Sequence, residues 1–91
     1  MSIPIRIDYK LPDGTIHENQ GGFTVSYSHG WGPKSPDFLR REIHQLQQVL
    51  REDLAQDPPN HWAVRDKWIL DAVEFRETPG QGGVSEEWHP L

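Results

Sequence analysis

The stretch SPDFLRREIHQLQQVLREDLAQ, Ser35–Gln56, decides the fold. Its Leu39, Ile43, Leu46, Leu50 and Leu54 recur at three- and four-residue steps, with Phe38 and Val49 at the margins. That is the period of a single apolar stripe on an α-helix. Ser35 has the side chain of an N-cap, and Pro36 suits the first helical position, where a missing amide proton costs nothing. At the far end Pro58 disfavours helical geometry at Asp57, and neither Pro58 nor Pro59 can continue the ladder. The spacing therefore predicts one long amphipathic helix, with Asp37 and Arg41 placed to pair at about 0.2–0.5 kcal/mol. Arg40 and Arg41 sit near its positive end and Glu52 and Asp53 near its negative end, against the dipole. Charges that break a local rule can mark a surface selected for another purpose.

An apolar stripe needs something to cover, and the flanking sequence supplies a sheet. Ile3, Ile5, Ile7, Tyr9 and Leu11 alternate with Arg6, Asp8 and Lys10, the period of a half-buried strand, and Pro4 suits a strand start or an edge. Pro12-Asp13-Gly14 carries turn chemistry, so a return strand follows from Thr15. Gly21-Gly22 then implies either a second turn, giving a three-stranded meander through Phe23, Val25 and Tyr27, or a wide bulge within one long strand. Lys67–Glu77 reads as a late strand, on its β-branched and aromatic content and on Val73 and Phe75 alternating with Glu74 and Arg76. Thr78-Pro79-Gly80-Gln81-Gly82-Gly83 has the composition of a flexible linker. The expected architecture is α+β: a small antiparallel sheet, an N-terminal meander or hairpin plus a late strand, packed on one long helix as a two-layer sandwich. Residues 1–78 form the domain, and residues 79–91 a Gly-rich linker and short tail.

A chain of 91 residues with 34% apolar content can bury only a modest core. Without cysteine it has no disulfide to supplement that core, so self-association into a homodimer is open to it. The absence of cysteine agrees with a reducing cytoplasm. No segment has the character of a signal peptide or a membrane span, so a soluble, cytoplasmic protein is expected, with no membrane partner.

The net charge of −5 is uneven: residues 1–51 hold six Lys/Arg and five Asp/Glu, whereas residues 52–91 hold three and nine. An acidic surface repels phosphate backbones and suits a basic partner.

No motif of known chemistry is present. The five histidines have no metal-ligand spacing, the serines no nucleophile elbow, and the glycines no following helix to cradle phosphate. The expectation is a non-enzymatic protein with no cofactor. Tryptophans in irregular segments are the better clue, since indoles anchor interfaces. The chain thus reads as a small acidic interaction module, such as an inhibitor, immunity protein or accessory subunit. Its contact residues are expected among His29, Trp31, Trp62, Glu86, Glu87 and Trp88, with Arg40 and Arg41 at the helix margin. The alternatives are a ligand or metal site at a homodimer interface using His29, His61 and nearby carboxylates, and single-stranded nucleic-acid binding through Lys34, Arg40, Arg41 and Trp31.

Overall fold

A computed structural model describes residues 2–26, 36–80 and 87–91. The elements run β1 (Ser2–Lys10), β2 (Ile16–Ser26), α1 (Pro36–Leu54), α2 (His61–Asp66), a 3-10 turn (Lys67–Asp71), β3 (Glu74–Glu77) and β4 (His89–Pro90). Every strand pairing is antiparallel, in the order β2-β1-β3-β4, and the helices complete a small α+β fold.

The β1–β2 hairpin closes as its sequence dictates. The Gly14 amide donates to the Leu11 carbonyl at 2.9 Å and the Thr15 amide to the Asp13 carboxylate at 2.9 Å, while Gly14 takes φ +90°. A side chain at Gly14 would be strained there.

Beyond the turn, β2 is one bulged strand and not two. Ile5, Ile7 and Tyr9 pair with Phe23, Gln20 and His17, so β2 spends three residues for every two of β1. Each extra residue is a bulge that resets the alternation. One falls near Asn19, whose φ is +57°. A period-two pattern therefore stops at the turn, and Gly21-Gly22 belongs to the second bulge instead of to a loop.

Cross-strand partners share a face, so Ile7 with Glu77 and Tyr9 with Phe75 lie on one side of the sheet. Asp8 with Arg76 and Lys10 with Glu74 lie on the other. The first side is the core: Ile5, Ile7, Tyr9 and Phe75 are buried with Leu39, Ile43 and Leu50 of α1, Ala63 of α2 and Ile69. Burial, reinforced by the Asp66 carboxylate, pushes the Tyr9 hydroxyl far above its ordinary pKa.

The stripe of α1 is turned slightly from the expected one. Its buried line is Leu39, Ile43, Gln47 and Leu50, while Leu46 and Leu54 pack at the margin and Val49 is 45% exposed. Gln47 holds its central place because its side-chain amide donates to the Ile69 carbonyl at 2.9 Å, tying α1 to the 3-10 turn. Gln47→Met keeps the volume and deletes this donor. It should cost about 1 kcal/mol in urea unfolding, since the Ile69 carbonyl still accepts from Ala72.

Lys67–Glu77 departs from the single strand expected. Only Glu74–Glu77 forms a strand, and Lys67–Asp71 continues α2 as a 3-10 turn. Its large side chains serve burial and not strand pairing. Ile69 enters the core, while Trp68 stacks on His17 with ring centroids 3.9 Å apart and meets Tyr9 edge-on at 5.5 Å. The helical layer is consequently one long helix plus a short one. Among the described residues no helix is long and apolar enough to cross a membrane.

Candidate functional site

The residues after the Gly-rich stretch return to the body of the fold. Phe75 pairs with His89 and Glu74 with Pro90, and the Leu91 amide donates to the Val73 carbonyl at 2.9 Å. Three elements hold this segment. Lys10 of β1 places its Nζ 4.4 Å from the Trp88 ring centroid and Arg76 of β3 its guanidinium carbon 4.6 Å from it. The negative ring face attracts both cations. From α1, Arg40 donates through Nε to the Pro90 carbonyl at 2.7 Å, and its guanidinium carbon lies 5.6 Å from the Phe75 ring centroid. Arg40 also pairs with Asp37 at 2.6 Å, so the intrahelical ion pair spans three residues and not the four expected.

Behind Trp88 the open face of the sheet holds a buried carboxylate. Asp8, 1% exposed, accepts from the Asn19 amide at 2.8 Å, the Thr78 hydroxyl at 2.7 Å and Arg76 Nε at 2.8 Å. Burial pushes this carboxyl up, but the Asn19, Thr78 and Arg76 donors together outweigh it and hold it below the usual carboxylate value. Asp8, Arg76 and Thr78, with Arg6, Glu18 and Asn19, line an open cleft of about 520 Å³. Three donors already satisfy Asp8, so its role there is to position Arg76, the β2 bulge and the exit of β3.

The other expected residues are dispersed. Trp62 lies at the α1–α2 junction, where its indole N–H donates to Asp53 at 2.7 Å. Arg41 is exposed on the outer side of α1, beside a shallow depression of about 360 Å³ shared with Asp37, Arg40, His44, Gln45 and Gln48. His61 opens α2 and is exposed, as is Glu87. His29, Trp31, Lys34, Ser35 and Glu86 lie outside the described residues, as do Gln81, Gly82 and Gly83. Among the described residues no group of three or more His, Cys, Asp or Glu could hold a metal ion.

Arg40 and Trp88, expected on separate grounds, thus meet around one segment, whereas Trp62 and Arg41 stand apart from it. Two of the four charges that oppose the α1 dipole have tertiary partners, Arg40 in Pro90 and Asp53 in Trp62. Asp8, Lys10 and Arg76 were visible in sequence only as the polar half of two alternating strands. Asp8 had one local signal, a short carboxylate between isoleucine and tyrosine in the middle of an apolar strand.

Comparison with models of known protein families, with characterised proteins and with solved structures finds no match to this chain.

Proposed function

We propose that this chain is a non-enzymatic protein-interaction module, a small acidic domain that binds a partner with a basic surface in the cytoplasm, as inhibitors, immunity proteins and accessory subunits do. The observation that carries the proposal is how folding sorts the acidic side chains. Glu77 is buried, Asp8 is enclosed, Asp53 accepts from Trp62, and Asp66 pairs with Arg65 at 3.1 Å. Glu52, Asp57 and Asp71 remain exposed on the stretch running from the end of α1 through α2 and the 3-10 turn. That stretch, residues 52–71, carries five Asp/Glu against two Lys/Arg. The acceptor end of α1 adds its dipole to the same negative field. Such a field speeds and orients encounter with a cationic surface.

The test uses the full chain as bait in extract of its source cell, followed by reconstitution of the captured partner from purified components. The triple variant Glu52→Lys, Asp57→Lys, Asp71→Lys should weaken the reconstituted complex at least about tenfold, because rim charges act mainly through association rate. Raising salt should weaken the wild-type complex in the same direction. An affinity indifferent to both changes would remove the acidic stretch as the contact surface.

A further inference from the structure

We infer that the groove holding Glu87–Leu91 is a peptide acceptor that also takes this segment from a second copy of the chain, so that two copies associate by reciprocal exchange of β4. The acceptor groups all belong to the body of the fold. Lys10 comes from β1, Val73, Phe75 and Arg76 from β3 and its approach, and Arg40 from α1. The segment contributes only a two-residue strand, so most of its recognition involves side chains: an indole within reach of two cations, a His89 ring 5.6 Å from Phe75, and the Pro90 carbonyl held by the Arg40 guanidinium. Without the segment β3 would become a sheet edge, with unpaired backbone groups that template another strand. The segment that fits this edge best is the one already seated there.

The contacts that seat residues 87–91 lie between that segment and the body of the fold. Thr78 is fixed by its amide, which donates to the Arg6 carbonyl at 3.0 Å, and by its hydroxyl on Asp8. Residues 79–88 beyond it include Gly80, Gly82 and Gly83, and ten residues reach up to about 33 Å when extended. Such a connection can deliver Trp88 to its own groove or to a neighbour's with the same contacts in either case. The balance is then set by effective concentration, on the order of millimolar for a short tether, so exchange grows as the protein approaches that concentration. Shortening the hinge shifts the balance decisively, as in other exchanged dimers. This association is separate from the partner proposed above, since it uses β3 and the Trp88 segment and none of Glu52, Asp57 or Asp71.

The test deletes Pro79–Glu86 from the full chain. The register of β3 with β4, continued by two residues, would set Glu77 opposite Glu87. Thr78 alone then bridges them, which is shorter than the two-residue loops that commonly close a hairpin. This variant should sediment as a dimer at about 10 μM, and adding Trp88→Ala should weaken that dimer at least about tenfold, in keeping with a cation-bound aromatic anchor. A folded, monomeric deletion variant overturns the inference. If the deletion variant does not fold, a fluorescently labelled Ser85–Leu91 peptide is titrated onto the full-length Trp88→Ala chain and, near millimolar, onto the wild-type chain. Saturable binding that a peptide carrying Trp88→Ala does not reproduce supports exchange, and no binding to either chain refutes it.

Discussion

Asp8→Ala should destabilise the protein by roughly 3 kcal/mol, near the lower end of the range for breaking a buried ion pair, because Arg76 retains some contact with water. Against a total stability of about 5–15 kcal/mol, a loss of that size is expected to bring the unfolding transition well down in urea and temperature. The effect is large because one side chain satisfies three donors from three parts of the chain. The Asn19 amide belongs to the bulge of β2, Arg76 to β3, and Thr78 to the residue where β3 leaves the sheet. Asp8→Asn keeps the shape but turns an amide donor or a neutral oxygen toward the Arg76 guanidinium, so it should also destabilise, though less. Thr78→Val removes a single donor and should cost only about 1 kcal/mol. A ranking in which Thr78→Val equals Asp8→Ala would show that the carboxylate is not the organising group.

The pH dependence follows from the direction of the Asp8 shift. Its folded pKa lies below the ordinary value of 3.8, so the charged form is favoured by folding. The resulting stability is fully present above the unfolded value and is lost as pH falls through the lower, folded value. Wild-type urea midpoints should therefore fall between about pH 4 and the folded pKa. The Asp8→Asn variant should lack this part of the acid limb. Identical acid limbs in the two proteins would contradict the assignment.

Phe75→Ala should cost about 3–5 kcal/mol, the range for emptying a buried aromatic position. Phe75 is fully buried and lies where the layers meet: it is the ladder partner of Tyr9, its ring faces Arg40 of α1, and it pairs with His89 of β4. A cavity there has few routes to collapse, since the flanking β1 positions are already filled by Ile7 and Tyr9. Phe75→Leu retains much of the volume and should cost under about 1.5 kcal/mol. Val64→Ala, at an exposed position, should stay within about 0.5 kcal/mol. Thermal melts of the three variants check this order. If Phe75→Ala matched Val64→Ala, the sheet and α1 would not share the core described above.

Local chemistry alone accounts for much of the architecture. The 3.6-residue recurrence from Leu39 to Leu54 specifies α1. Alternation from Ile5 to Tyr9 specifies β1, and Pro12-Asp13-Gly14 specifies the turn, because each pattern reflects a backbone geometry set within a few residues. The approach to β3 misled for a physical reason. Trp68, Ile69 and Leu70 have the composition of a strand, but side-chain type reports burial as readily as extension. The Gln47 bond to the Ile69 carbonyl, formed across 22 residues, is part of what holds that stretch in a 3-10 turn.

The candidate surfaces depended on tertiary structure still more. Trp88 read as a lone indole beyond a glycine-rich stretch, and Arg40 as a charge misplaced on its helix. They meet at one segment because β3 pairs with both β1 and β4, which sets Trp88 against Lys10 and Arg76 on the open face of the sheet and Pro90 within reach of Arg40 from α1. Likewise, nine acidic residues in positions 52–91 set a net sign, while folding determined which of the described ones face solvent. The sequence by itself determined α1, β1 and the turn that follows β1, because their patterns reflect backbone geometry set within a few residues, and its composition determined the acidic bias. Only the tertiary structure decided the strand order, the bulged register, the burial of Asp8 and the seat of Trp88. Those rest on contacts between residues as far apart in sequence as Lys10 and Trp88, whose energies no local pattern encodes.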